Sequence, residues 1–230
     1  PSLMMYLALG LVIGSSGLGI EFQDPDLALA LGLGALVLIL AEGGLTTPWH
    51  HVRPSLGLGL LLATLGSAIS VAVVSTGAHY LLDLDWRLAI LLAAVLTPTD
   101  AAAVFSVLRA VPLRRRVSGA LEAESGLNDA PIVVLVTAIS LGEISDGGVL
   151  SFAGLIVFEL VVGAIVGLAV GGGAALLLRR VALPASGLYP LVVLGFTVLA
   201  YGAAASLHAS GFAAVYLAAL VLGNTELPHR

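Results

Sequence analysis

The stretch Glu124-Ser125-Gly126-Leu127-Asn128-Asp129-Ala130-Pro131 sets two carboxylates and an amide inside a run that is otherwise hydrocarbon. One apolar segment earlier, Thr97-Pro98-Thr99-Asp100 does the same with a third carboxylate. An ionised side chain at mid-bilayer costs roughly 2.5 to 3.5 kcal/mol even on the mildest scales, so it is rare there without a task. A proline inside a membrane helix also leaves a carbonyl that needs another partner. A plain kink accounts for one proline. Pro98 beside Asp100 and Pro131 beside Asp129, on consecutive segments, read instead as an ion site assembled from interrupted helices.

The surrounding chain supports a membrane setting. Apolar residues make up 59% of it and charged residues only 10%, where a soluble domain carries about 25% charged residues. Mean hydropathy is +1.11. There is no cysteine, which removes disulfides and thiolate metal sites, and Lys is absent, which removes Schiff-base chemistry. No His/Glu cluster has metal-ligand spacing on one helix face. The partner is the lipid bilayer. No nucleic-acid partner and no cofactor are expected, and no enzyme chemistry.

Eight apolar runs mark expected spans, at residues 3–20, 27–45, 55–82, 88–108, 117–141, 150–178, 188–207 and 211–222. A span needs about 20 residues; the last is short enough to be a half-helix. Loop charge tests the count through the positive-inside rule, which weighs Arg and Lys only. Arg53, the cluster Arg109, Arg114, Arg115 and Arg116, the pair Arg179 and Arg180, and Arg230 fall in alternate loops, all on one side if there are eight crossings; Arg87 is the exception. Both ends of the chain are therefore expected to be cytoplasmic. Gly163, Gly167 and Gly171, and likewise Gly10 and Gly14, recur every fourth residue and read as helix-packing faces.

Asp100 and Asp129 can each carry a proton or face a cation, and burial and neighbouring charge tune the balance. Competition of the two ligands for one carboxyl suffices for exchange. Hard cations take oxygen ligands, which Thr99, Ser125 and carbonyls near Pro98 can supply. Glu124 and Asp129 are offset by about 140° on an unbroken helix, whereas Glu124 and Asn128 share a face. Asp129 is thus expected to bind the ion, Glu124 to support it, and the Asn128 amide to hold a broken helix end. Glu122 reads as a partner for Arg114 to Arg116, and Glu42, near a helix end, as snorkelling to the interface. Glu159 has no assigned role.

At these residues the chain resembles the monovalent cation/proton antiporters of the sodium/proton exchanger superfamily, especially the bacterial sodium-or-potassium/proton branch. Glu124 to Asp129 is similar to that family's acidic motif, and Thr99-Asp100 to its Thr-Asp on an unwound helix; where the family usually has proline after that Asp, Ala101 follows here and Pro98 precedes. The runs 38–45 and 211–224 resemble it as well. The resemblance implies an all-α membrane protein, a multi-span helical bundle with discontinuous helices and a partial inverted-repeat antiporter fold. It implies residues 1–230 as part of an exchanger membrane domain, with a first helix and the second-repeat core helices missing. It also implies a sodium or potassium ion bound at Asp129, Asp100, Thr99 and Ser125 with Glu124 close by. Asn128 before Asp129 goes in that family with electroneutral exchange. A homodimer in the full-length protein, elevator-like movement and a bacterial plasma-membrane location are implied too, and the 230-residue chain alone is not expected to transport.

Rival classes remain in view. Two Asp on adjacent spans can form an intramembrane aspartyl protease, but Asp100 lacks the glycines such sites resemble and an Asn at 128 is unneeded there. A passive cation channel wants a continuous polar stripe, and the polar groups here gather at one depth. A membrane sensor would not need two buried acids.

Overall fold

The computed structural model describes residues 2–15, 17–99, 113–141, 148–181, 184–185 and 187–226, and every regular element among them is helical. The chain divides into two units, Pro1–Leu36 and Val37–Arg230. The first holds α1 (Ser2–Ile13) and the opening of α2 (Pro25–Thr46). In the expected run 3–20 the helix ends at Ile13, because Leu18 and Ile20 fold back to donate to the carbonyls of Val12 and Ile13. Gly19 makes that turn with a positive φ of 76°, a conformation only glycine adopts freely. Nothing among the described residues lies within 4 Å of a side chain added at Gly10.

The second unit begins with the end of α2 and a broken connector: Pro48 in extended conformation, the short α3 (Trp49–Val52) and a 3-10 turn at Arg53–Ser55 that contains Pro54. Next come α4 (Leu56–Leu61), a π-helical turn at Leu62–Gly66 and α5 (Ser67–Leu82), stacked end to end. Asp83 closes α5 in the left-handed conformation. Asp85 then starts α6 (Trp86–Leu96), its carboxylate accepting from the amides of Arg87 and Leu88, two of the four donors a helix start leaves unpaired. Beyond Thr99, α7 (Arg115–Leu127) and α8 (Asp129–Leu141) follow, then α9 (Gly148–Arg180), α10 (Leu188–Ser206) and α11 (Gly211–Gly223).

Four described helices are long and apolar enough to cross a membrane: Pro25–Thr46, Arg53–Leu82, Ala153–Arg180 and Leu188–Ser206. Met4–Ile13, Trp86–Leu96 and Gly211–Gly223 are shorter apolar helices. Large apolar side chains such as Leu58, Ile69, Val73, Leu168, Leu191 and Leu199 face outward, which water would penalise and lipid tails do not.

Two packed groups of helices emerge in this unit. In one, α4 lies parallel to α7, with Gly59 against Ala120 and Ala123. Antiparallel to α8 runs α6, through Ala93, Ala94, Ile132 and their neighbours. In the other, the stripe Gly163, Gly167, Gly171 of α9 receives Ser210, Ala214 and Ala218 of α11 in parallel register. There is no room for a Cβ at any of the three, so the backbones approach as small-residue packing in lipid requires. Ala200 and Ala204 of α10 join the alanines of α11. The end of α2 belongs to this second group, since Gly44 meets Tyr216 and Ala219, and Gly223 meets Leu45.

Candidate functional site

The site forms where two helices stop. α6 ends at Leu96; Thr97 returns its hydroxyl to the Ala93 carbonyl at 2.7 Å, and Pro98 has no N–H to extend the ladder. Thr99 is therefore free of the helix. The facing interruption is a single residue, Asn128, between α7 and α8. Its amide N–H still reaches the Glu124 carbonyl at 2.9 Å. Pro131 sits in the first turn of α8, where a missing N–H is tolerated. The break thus lies three residues ahead of the proline, and Pro131 shapes the restart of the helix.

Antiparallel packing of α6 on α8 brings Thr99 to this break. Arg87, near the start of α6, donates from Nη2 to the Ser140 carbonyl at 3.0 Å, one residue from the end of α8. A cation on the C-terminal carbonyls of a helix is favourably placed. This local bond gives the one Arg that departs from the positive-inside pattern a physical reason to be where it is.

Four candidates meet in one hydrogen-bonded cluster. Asn128 Nδ2 donates to Glu124 Oε1 at 2.9 Å and to Thr99 Oγ1 at 3.0 Å. The Thr99 hydroxyl has Glu124 Oε2 and Ser125 Oγ as acceptors, both at 3.1 Å, and it can serve one at a time. Ser125 Oγ donates back to the Thr99 main-chain carbonyl at 3.2 Å. The Glu124 carboxyl is thereby held at both oxygens, by Asn128 on Oε1 and Thr99 on Oε2. Ser125 and Asn128 are fully buried, Glu124 and Asp129 half-buried, and Thr99 exposed.

Asn128 Oδ1 is buried with no hydrogen-bond partner among the described residues. An orphaned buried acceptor costs about 1 to 3 kcal/mol, and its amide cannot simply flip, because Nδ2 is held by two oxygens. A water or a passing cation would satisfy it. On the Nδ2 side of the amide the oxygens of Thr99 and Glu124 come together, with Ser125 Oγ beside Thr99, an oxygen-only set of the kind a hard cation takes. Among the described residues no group of three His, Cys, Asp or Glu gathers as for a resident metal ion.

Asp129 opens α8 directly after the break. Asp100 lies outside the described residues. Glu159 is half-buried in α9, and its carbonyl accepts the Ser210 amide at 3.0 Å; it stands apart from the cluster in sequence and element. Glu42 is exposed near the end of α2, and the Glu122 side chain lies outside the described residues.

Sequence reasoning passed over two other polar contacts. Asn224, at the end of α11, accepts from the Trp49 amide through Oδ1 at 2.8 Å and donates through Nδ2 to the Thr47 carbonyl at 2.9 Å. Buried Ser55 donates to the Arg116 carbonyl at 2.9 Å. Nothing local distinguished either: a Ser or Asn at a helix end reads as an ordinary cap. Tyr216 of α11 lies against Gly126, so close that a Cβ there would stand 2.8 Å from the ring. That contact requires glycine one residue after Ser125.

A model of the family described as "Sodium/hydrogen exchanger, transmembrane" matches residues 1–230. The chain is 36% identical over 233 residues to the K(+)/H(+) antiporter NhaP of Alkalimonas amylolytica, covering 99% of this chain and 40% of that protein. It is 40% identical over 229 residues to the K(+)/H(+) antiporter NhaP2 of Shewanella sp. (strain MR-4), covering 97% and 40%. The structure of the sodium proton antiporter MjNhaP1 from Methanocaldococcus jannaschii at pH 8 superposes with a TM-score of 0.81 at 24% identity, over 98% of this chain and 56% of that one. The chain thus spans 40% of the length of these curated relatives and shares the antiporter fold. It belongs to the transmembrane sodium/hydrogen exchanger family.

Proposed function

We propose that the protein to which this chain belongs exchanges a monovalent cation, sodium or potassium, for protons across a membrane, and that the exchange takes place at Asp129. The observation that carries the reading is the oxygen cluster of Thr99, Ser125, Glu124 and Asn128 set at two facing helix ends. Polar and ionisable side chains gathered within apolar segments mark a functional site by default.

In this reading Asp129 holds either a proton or the cation, with Asp100, Thr99 and Ser125 completing the ligand oxygens. Asn128 and Thr99 hold the Glu124 carboxyl in place beside the site. The resemblance implies that an Asn before this Asp, as in Asn128-Asp129, goes with electroneutral one-for-one exchange. The named K(+)/H(+) and sodium proton antiporter relatives support this class of activity. A bacterial plasma membrane, cytoplasmic ends for residues 1 and 230, eight spans in this stretch, a homodimer and an elevator-like movement belong to the same proposal.

The test is collapse of an acid-inside pH gradient in vesicles holding the full-length protein, on adding sodium or potassium. Alkalinisation of the lumen is expected. Asp129→Asn removes it, while Glu159→Gln leaves it largely intact. Wild-type exchange in Asp129→Asn would mean the site is elsewhere, and proteolysis of a membrane substrate with no ion requirement would favour the aspartyl protease.

A further inference from the structure

We propose that Tyr216 is a positioning residue for the ion site: its ring, presented by α11, is the surface against which the last turn of α7 is seated, and it sets how far Ser125 and Asn128 stand from Thr99. The inference rests on the exchange reading, since it adds a residue to the same site, and it makes Tyr216 a determinant of which cation fits.

The last turn of α7 lies between two partners. At 100° per residue, Glu124, Ser125 and Asn128 share one side of the helix, and Gly126 points roughly 150° away from their mean direction. The first side faces Thr99, with Ser125 Oγ and Asn128 Nδ2 at 3.1 and 3.0 Å from Thr99 Oγ1. The opposite side faces Tyr216: a Cβ built on Gly126 would stand 2.8 Å from Cε2, Cζ and Oη of the ring. A third contact comes from α4, where Gly59 lies against Ala120 and Ala123. A glycine inside a helix costs about 1 kcal/mol against Ala, and at position 126 it is what admits the ring to the helix backbone.

Tyr216 is itself held in place. Its side chain is buried. Its carbonyl packs on Gly44 of α2, where an added Cβ would meet it at 2.5 Å. Two residues to either side, Ala214 and Ala218 seat on Gly167 and Gly171 of α9. A helix fixed on two sides here carries a flat, stiff side chain with few rotatable bonds, so the packing of α11 decides where the ring stands.

The space beside this contact gives the ring its consequence. Gly126, Leu127, Ala130 and Pro131 line an apolar cavity of about 560 Å³ together with Tyr216. The α7–α8 break therefore has oxygens on one face and hydrocarbon-walled space on another. Without the ring, the last turn of α7 can settle into that space and draw Ser125 and Asn128 away from Thr99. A Cβ at Gly126 presses on a ring with little freedom and drives the same turn toward Thr99. Hydrogen bonds fade by about 3.5 Å, so a small displacement of α7 already changes the oxygen cage. Sodium and potassium differ in radius, and cage size is one basis for choosing between them.

The experiment uses the full-length protein in proteoliposomes and reads initial exchange rates with sodium and with potassium, per folded transporter. Tyr216→Leu is expected to shift the ratio of the two KM values about three- to tenfold in favour of potassium, the factor that one weakened hydrogen bond corresponds to. Gly126→Ala shifts it the other way, toward sodium. The double variant returns toward the wild-type ratio, because the methyl takes up room the ring has left. Maximal rates change less than KM. Tyr216→Phe keeps the ring and stands closer to wild type than Tyr216→Leu. Leu168→Ala opens the same cavity from α9 and lowers stability without moving the ratio. An unmoved ratio in Tyr216→Leu overturns the assignment, as does a loss of rate at constant KM. Shifts of the same sign in Tyr216→Leu and Gly126→Ala overturn it too, and so does a shift in Leu168→Ala as large as that in Tyr216→Leu. Should Gly126→Ala fail to fold, the other three single variants decide. A wild-type protein without cation-dependent exchange defeats the antiport reading itself, and the role of Tyr216 with it.

Discussion

Asn128 carries more of the site than its neutral side chain suggests. Its two donor bonds fix Glu124 and Thr99, and its acceptor is left over. Asn128→Ala removes two hydrogen bonds, to half-buried Glu124 and exposed Thr99, and is expected to destabilise the full-length protein by about 1 to 3 kcal/mol, seen as a lower unfolding temperature in detergent. Asn128→Asp sets a second carboxylate against Glu124 at i and i+4, where like charges repel. A variant as stable as wild type at pH 8 would show that the 2.9 Å contact matters little. Arg87 makes a smaller contribution. Arg87→Ala forfeits a charged contact at a helix end worth about 0.3 to 1 kcal/mol, so a shift of only a few degrees is expected, and none if Ser140 is equally content with water.

At the scale of elements, the interrupted α7–α8 pair is what places these residues. Much of it was legible. Proline beside acid announced a break, and the i, i+4 spacing put Glu124 and Asn128 on one face. The position of the break was less so, because Pro131 is compatible with the first turn of a helix and the interruption falls at Asn128 instead. The glycine stripe on α9 was legible as a packing face, since three small residues at spacing four leave a groove one backbone can enter. Its partner was not, because Ser210, Ala214 and Ala218 are also small and local pattern does not say which helix lies opposite. Gly167→Val is expected to push α9 and α11 apart and lower stability by about 1 to 3 kcal/mol, whereas Gly172→Val, with nothing within 4 Å, should be nearly silent. Equal effects at the two positions, read by thermal unfolding of the full-length protein, would contradict the close approach.

Across the whole molecule, composition gave the class directly: apolar residues at 59% with charge at 10% leave no soluble core to build. The helical architecture and the exchanger family follow from the same residues that opened the reading. Contacts between residues far apart in sequence stayed hidden, as with Asn224 to Thr47 and Arg87 to Ser140, because no periodicity encodes a single long-range hydrogen bond. The large outward-facing apolar surface is likewise a property of assembly.

Competition between proton and cation for one carboxyl is the central claim, and its most direct measurement is initial exchange rate against cation concentration at a series of pH values, with the full-length protein in proteoliposomes. Linked binding at a shared site predicts that the apparent cation KM climbs by up to about tenfold for each unit the pH falls, at constant maximal rate. A KM indifferent to pH, with acid lowering only the maximal rate, would show that proton and cation occupy separate sites.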